Sequence, residues 1–192
     1  MPYKNKICLE GQRIRVRTPK KSDAESIYEN VRDSELYRRT ITIPRPYPPE
    51  EAKRFIRKAR YYLRRGKRYA FVIAEKDSDK AIGVVDLFKV DHEHKNAELG
   101  YWLGKKHRRR GIMSEAVMLM LNFGFRKLKL HRIHANVFEG NIASKGVLEK
   151  CGFSYEGLSR ESKFKCGKFR NEWRFALLRR DFLKMNKLRG AQ

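Results

Sequence analysis

The chain has 192 residues, of which 41% are hydrophobic, enough to supply the core of one compact domain. Its 46 Lys and Arg outnumber 22 Asp and Glu, and the resulting net charge of +24 attracts polyanions. No stretch approaches the roughly 18 apolar residues of a membrane helix, and the first residues lack the apolar centre of a secretory signal, so we expect a cytoplasmic protein that needs no membrane. Three widely spaced cysteines argue against a disulfide framework or a zinc site.

The first half of the chain predicts a strand, two helices and a hairpin. Residues 13–17 alternate between polar and apolar, as a half-buried strand does, and residues 22–25 have the pattern of a capping box that opens a helix. After a proline-rich connection, apolar residues at helical spacing predict a second helix closed by Gly66. The strand-like runs 69–74 and 81–88 then predict a hairpin.

The second half alternates strands with helices. A polar turn at 91–96 contains two histidines, which we interpret as solvated turn residues and not as metal ligands. The segments that follow the turn are a strand at 97–103, a basic loop at 108–113, a helix after Gly111, a strand at 131–138, a short helix at 141–150, and strands near 154–162 and 169–178. This order predicts one strand–loop–helix–strand crossover and a terminal hairpin.

The pattern as a whole predicts a mixed α/β (α+β) fold in one domain spanning residues 1–192, with its core at about 14–181. We expect a central, mostly antiparallel sheet of about seven strands flanked by helices.

The basic loop at 108–113 is the first candidate for a ligand site. A strand that enters a helix through such a loop presents free backbone N–H groups and the positive end of the helix dipole, which together bind phosphate. Gly111 would let the backbone approach a ligand closely. Neither of the common nucleotide-binding glycine motifs is present. Taken alone, a loop of this kind is more often only a basic turn.

Four segments together carry a resemblance to a known family. They are Ala97 to Leu103, Arg108-x-x-Gly111 with the helix that follows, Asn141-x-x-Ser144, and Cys151-Gly152-Phe153. This set resembles the GNAT superfamily of acetyltransferases, although Met113 departs from the Gly or Ala that usually ends the loop motif. The run Gly-Ile-Met-Ser and the end of the chain around 167–178 resemble the branch of ribosomal-protein N-alpha-acetyltransferases, the RimJ/RimL type.

The resemblance implies a sheet that is splayed in the middle to admit acetyl-CoA, the acetyl donor. Its pyrophosphate would lie on the amides of residues 109–114, and its pantetheine arm would run along the strand 98–103 like an added strand. The residues that the resemblance assigns to the cofactor are Leu99, Tyr101, Trp102, Leu103, Arg108, Arg109, Arg110, Gly111, Ile112, Met113, Ser114, Asn141 and Ser144. For Asn141, a plain helix N-cap is the competing interpretation.

Two residues are candidates for catalysis. Glu98 is a carboxylate inside an otherwise apolar strand and could act as general base, or it could be a solvent-facing residue paired with a cation. Asp86 and Glu139 are weaker alternatives. The resemblance to the ribosomal-protein branch assigns Ser144 a hydrogen bond to the departing sulfur. Many other family members carry a tyrosine acid at the position that Leu148 occupies here, so that route is excluded.

The leading functional hypothesis is direct transfer of an acetyl group to a protein or peptide amine, most simply an N-terminal α-amine of a ribosomal protein. One α-amine in roughly ten is neutral at pH 7, against a few lysines in ten thousand, so this acceptor needs less deprotonation. The alternatives are a small-molecule amine acetyltransferase and a non-catalytic nucleic-acid or ribosome-binding module on the same fold. The basic surface could hold a ribosome or an acidic partner, and a sheet edge near the C-terminus could form a homodimer.

Overall fold

The computed structural model describes residues 6–189, which form eight strands and six helices. The strands are β1 (Cys8–Glu10), β2 (Ile14–Arg17), β3 (Tyr69–Glu75), β4 (Ala81–Asp91), β5 (Asn96–Leu103), β6 (Arg132–Phe138), β7 (Ser154–Lys165) and β8 (Lys168–Leu178). The helices are α1 (Asp23–Val31), α2 (Ser34–Arg39), α3 (Pro49–Arg64), α4 (Ile112–Asn122), α5 (Ile142–Lys150) and α6 (Arg179–Arg189).

All eight strands belong to one sheet in the order β1-β2-β3-β4-β5-β6-β8-β7. Every neighbouring pair is antiparallel except β5 and β6, which are parallel and are joined by the crossover through α4. The predicted mixed fold, the hairpin β3–β4 and the terminal hairpin β7–β8 are confirmed. The strand count is one higher than predicted because β1 has only three residues, too few for an alternating pattern to be recognised.

Helices cover both faces of the sheet. On one face, Ile27 of α1 and Ile56 of α3 pack against Val72 and Val84 of the sheet. The opposite face forms the larger core, in which α4, α5 and α6 pack on the sheet through residues such as Met120. We call these the α1/α3 face and the α4 face. Within residues 6–189, no helix is long and apolar enough to cross a membrane.

The predicted capping box at the start of α1 is wrong, although the helix itself is present. Ser22 makes no side-chain capping bond, and the residue after it, Asp23, is bonded to other groups. Its carboxylate forms a two-pronged pair with Arg17 of β2, at 2.8 and 2.9 Å, and both side chains are buried. A buried guanidinium requires an anionic partner, and Asp23 supplies it.

Asp79, in the β3–β4 turn, completes this cluster by accepting a hydrogen bond from Arg17 Nε at 2.7 Å. Burial would raise the pKa of the Asp79 carboxyl, but hydrogen bonds from Lys20 and Arg17 outweigh it and lower the pKa. A carboxyl with a lowered pKa stabilises the fold above its unfolded pKa of about 3.9, and that contribution is lost as the pH falls through the folded value.

We therefore expect Arg17→Met to lower the free energy of unfolding by about 3 kcal/mol at pH 7, because it leaves the buried Asp23 carboxylate without its cation. The loss should shrink as the pH falls through the lowered pKa of Asp79, where that carboxylate takes up a proton. Urea unfolding at pH 7 and at lower pH values measures this. Arg15→Met is the matched control, because Arg15 pairs with the exposed Glu10, and it should cost under about 1 kcal/mol. Equal losses in the two variants would contradict the prediction.

Candidate active site

The parallel strands β5 and β6 separate after a short paired stretch. Their register covers only Asn96–Glu98 against 132–134. Beyond this point β5 continues beside β4 as far as Leu103, whereas β6 continues beside β8 as far as Phe138. The sheet is therefore splayed between these strands, as the resemblance implied. The open edge of β5 is available to an extended ligand that hydrogen-bonds to the main chain.

Helix α4 begins at the wide end of this gap. Its first helical hydrogen bond runs from the Glu115 N–H to the Gly111 carbonyl at 3.2 Å, so the amides of residues 112–114 lie ahead of it. Gly111 has φ of +75°, a left-handed conformation that favours glycine. A Cβ there would lie 3.2 Å from the Arg13 guanidinium. The backbone turn therefore requires this glycine.

The side chain of Arg108 is engaged within the protein. Its guanidinium donates to Glu35 at 2.5 Å, to Asp33 at 2.7 Å and to the Leu103 carbonyl at 3.0 Å. Burial would raise the pKa of the Asp33 carboxyl, but the Glu35 backbone N–H and Arg108 lower it overall. Arg108 thus fastens the loop to α2, and the exposed Arg109 and Arg110 are the cations left facing solvent.

Several residues assigned to the cofactor contribute their side chains to the interior. Ile112 and Met113 are buried in the core on the α4 face, together with Leu99 and Leu103 of β5. These residues can therefore contact a ligand through their main-chain groups. Met113 departs from the family pattern at a position whose side chain packs inward, so the departure leaves the loop amides uncovered. Trp102 packs on the α1/α3 face.

The far side of the gap is formed by the start of α5. Asn141 is its N-cap, accepting from the Ser144 N–H at 3.3 Å, and its side chain also accepts from Arg39 of α2 at 3.0 Å. The Tyr101 hydroxyl donates to the Ser144 carbonyl at 3.1 Å and so joins β5 to α5 across the gap. Burial raises the pKa of the Tyr101 hydroxyl. Among the described residues, none makes a hydrogen bond to the Ser144 hydroxyl.

Glu98 lies at the point where β5 and β6 part, on the α1/α3 face. It is buried, with Oε2 accepting from Lys89 Nζ at 2.7 Å and Oε1 accepting from Asn136 Nδ2 at 3.0 Å. His134 Nε2 is 3.9 Å from the same carboxylate. Burial lowers the pKa of His134. The charge of Glu98 would raise this pKa, but neighbouring cations lower it further. A neutral imidazole therefore stands beside the carboxylate at pH 7.

The two alternative carboxylates occupy different environments. Asp86 is buried on the α1/α3 face, accepts from Arg68 Nε at 2.6 Å through Oδ2, and has no partner for Oδ1 among the described residues. Burial raises the pKa of Asp86. Glu139, in contrast, lies in the exposed turn after β6, where it accepts from Asn171 at 2.9 Å.

Sequence reasoning did not identify Lys89, His134 and Asn136 as parts of this site. The two β6 residues could have been found from the period-2 alternation of that strand, which puts them on the side opposite the buried Ile133 and Ala135. Lys89 gave no such signal, because its reach to Glu98 depends on the β4–β5 register.

Three features with distinct chemistry lie around the gap between β5 and β6. Free amides at the start of α4 suit a phosphate. The open edge of β5 suits an extended, amide-containing chain. A carboxylate with a neighbouring imidazole, and a hydroxyl at the start of α5, suit proton removal and proton donation. Together these are the requirements of acyl transfer from a phosphorylated carrier to an amine.

Comparison with known proteins agrees with this chemistry. Residues 13–154 match the family model described as an acetyltransferase (GNAT) domain. A Bacillus subtilis (strain 168) protein named "Probable N-acetyltransferase YjcK" is 36% identical over 158 residues, covering 80% of this chain and 87% of that protein.

Two solved structures share the fold. One is RimL, a ribosomal L7/L12 alpha-N-protein acetyltransferase in complex with coenzyme A, with a TM-score of 0.83 at 19% identity over 90% of this chain and 98% of that chain. The other is a spermidine N-acetyltransferase from Vibrio cholerae in complex with CoA and spermine, with a TM-score of 0.77 at 22% identity over 89% and 98%. The chain thus belongs to the GNAT family and is an N-acetyltransferase that uses acetyl-CoA as its acetyl donor.

Proposed function

We propose that the acceptor is the N-terminal α-amine of a protein, of the ribosomal-protein type. The observation that carries this proposal is the charge balance of the α1/α3 face, where each buried carboxylate beside the gap already has a cation. Glu98 pairs with Lys89, Asp86 pairs with Arg68, and Glu172 pairs with Lys163.

A polyamine acceptor carries several positive charges and needs several carboxylates that are free to receive them. The paired carboxylates of this face offer no such cluster, and a chain of net charge +24 repels a polycation at long range. An N-terminal α-amine brings one titratable group and is partly neutral at pH 7. The spermidine acetyltransferase among the structural neighbours supports a small-molecule amine as the second candidate.

The gap between β5 and β6 fits acetyl-CoA, which supplies the activated acetyl group. In this proposal the amides of residues 109–114 hold the pyrophosphate, and the main chain of 98–103 holds the pantetheine arm. Arg109 and Arg110 provide charge for the remaining phosphate. Arg108 acts through the loop, by holding it against Asp33 and Glu35. Asn141 positions the first turn of α5.

Glu98 is the proposed general base. Lys89 and Asn136 fix its two oxygens, and its place at the separation of the strands puts it beside an amine that enters from the α1/α3 face. Ser144 is the proposed donor to the departing sulfur, with Tyr101 positioning it through the Ser144 carbonyl. A main-chain N–H of β5 would polarise the thioester carbonyl without side-chain reorganisation.

The acceptor is tested by incubating the protein with labelled acetyl-CoA and three amines. These are a peptide with a free N-terminus, the same peptide with a blocked N-terminus and an internal lysine, and spermidine. We expect kcat/KM for the free peptide to exceed that of the other two at least about tenfold, because its amine is more often neutral than lysine and less repelled than a polycation. Mass spectrometry locates the acetyl group. Preferential acetylation of spermidine would replace the proposal with the second candidate.

The base is tested by comparing Glu98→Gln with Asp86→Asn. We expect Glu98→Gln to lower kcat about 100-fold with acetyl-CoA affinity nearly unchanged, because it removes proton acceptance and leaves the main chain of β5 in place. Asp86→Asn, which changes a second buried carboxylate of this face, should lower kcat less than about tenfold. Steady-state kinetics and calorimetry with acetyl-CoA measure both quantities. If the larger loss occurs in Asp86→Asn, the base is Asp86.

Ser144→Ala should lower turnover about tenfold or more, since the departing sulfur loses its hydroxyl donor, and should leave the affinity for acetyl-CoA within about twofold. A thioester with a more acidic leaving thiol should recover part of the lost rate, because that thiolate needs less stabilisation. The matched control is Ser154→Ala at the exposed start of β7. A loss that the better leaving group does not reduce would assign Ser144 a purely structural role.

A further inference from the structure

Helix α3 presents a solvent-exposed face on which basic and aromatic side chains lie side by side. Its opposite side packs into the protein through Ala52, Ile56, Ala59 and Leu63. Residues three and four apart are neighbours on a helix, and this spacing produces two adjacent rows. The rows are Lys53, Arg57, Arg60 and Arg64, and beside them Arg54, Lys58, Tyr61 and Arg65. We call these eight residues the α3 face.

Most cations of the α3 face lack an anionic partner within the protein. Arg54 pairs with Glu51 at 2.5 Å. In the described part of the chain, no carboxylate lies within 4.0 Å of Arg57, Lys58, Arg60 or Arg64. Like charges at this spacing repel each other and destabilise the helix. A bound polyanion would remove this repulsion, so the face is suited to phosphates.

The tyrosines distinguish this face from an ordinary solvated helix. Tyr61 is 50% exposed and Tyr62 is 36% exposed, and their rings meet edge to face with centroids 5.2 Å apart. The guanidinium of Arg65 lies 3.7 Å from the centre of the Tyr61 ring. Nucleic-acid bases stack on exposed tyrosine rings and on arginine planes, and unpaired bases do so most readily. An acidic peptide would use the cations but would offer no base to stack on the Tyr61 ring.

We propose that the α3 face binds single-stranded RNA, with phosphates on its cations and a base stacked on Tyr61. The choice of RNA over DNA rests on the proposed function, because an acceptor of the ribosomal-protein type is presented beside RNA. The helix ends close to Arg68, which pairs with the buried Asp86 on the α1/α3 face. RNA held on the α3 face would therefore bring an associated protein to the side of the sheet from which its amine reacts.

The charge component is tested with a fluorescein-labelled oligouridylate of roughly ten nucleotides, by fluorescence anisotropy at several salt concentrations. The triple variant Arg57→Gln, Lys58→Gln, Arg64→Gln should weaken binding at least about tenfold and reduce the slope of log affinity against log salt by about 2. The matched control is Arg126→Gln, Lys127→Gln, Lys129→Gln, which removes the same charge from exposed positions after α4. It should change the affinity less than about threefold. Equal losses in the two triple variants would overturn the proposal in favour of a general basic field.

The stacking component is tested with Tyr61→Leu, which keeps the charge and the helix propensity. We expect RNA affinity to fall about fivefold or more with the salt slope unchanged. No loss in this variant, or equal competition by polyglutamate, would assign the face to an acidic protein. Equal affinity for the matching single-stranded DNA would refute the preference for RNA.

Peptide acetylation by the same variants separates this proposal from the proposed function. The α3-face variants should keep kcat and KM for the free peptide, because none of the altered residues lies at the gap. RNA binding that fails while peptide acetylation persists overturns only the α3 proposal. RNA binding that persists while the peptide is not acetylated overturns the choice of acceptor, and with it the argument for RNA over DNA.

Discussion

The early separation of β5 from β6 is the constraint on which the rest of the site depends. Main-chain N–H and C=O groups in a sheet require partners, and adjacent parallel strands ordinarily supply them along their whole length. Here the shared register ends at Glu98 and His134, after which each strand keeps only its antiparallel neighbour. In the proposed function, the extended acyl carrier completes this edge. The starts of α4 and α5 lie on the two sides of this opening because each helix follows one of the separated strands.

A second constraint concerns the few carboxylates that the proposed chemistry uses, because cations are close to them in this strongly basic chain. Glu98 shares its two oxygens between Lys89 and Asn136, and Asp86 has only Arg68. The difference matters, because a buried carboxylate oxygen without a donor makes the charged form costly, which agrees with the raised pKa of Asp86. Glu98 has both oxygens oriented and lies at the gap. These two facts make it the stronger candidate for handling the proton of an amine.

The sequence predicted the fold well because most elements carry long periodic patterns. The residues of α3 and the hairpin β3–β4 could be read directly, and so could the glycine that allows the turn into α4. Short elements were missed: β1 has three residues and α2 has six, fewer than their periodicities need. The capping pattern at Ser22 was wrong, because Ser22 makes no side-chain capping bond; the first turn of α1 instead supplies Asp23 to the buried Arg17.

The site was predicted less completely, because its side chains meet through tertiary contacts that no local pattern records. Glu98 and Ser144 could be named from the strand and the family motif, but the partners of Glu98 come from two other strands. Arg108 has contacts that the motif did not indicate. Its assignment to the cofactor stays a prediction, and its guanidinium donates to Asp33 and Glu35. The charge of a side chain in the sequence does not show which group that side chain will pair with in the fold.

Each end of helix α2 is bonded to one side of the gap between β5 and β6. Near its start, Asp33 and Glu35 hold Arg108 of the phosphate loop, and at its end Arg39 donates to Asn141 at the start of α5. Each partly exposed ion pair contributes at most about 1 kcal/mol. A six-residue helix held in this way therefore unfolds locally more easily than the sheet. A ligand that orders the loop and α5 would therefore also fix α2. In the proposed function, α2 would thus link cofactor binding to the shape of the acceptor side.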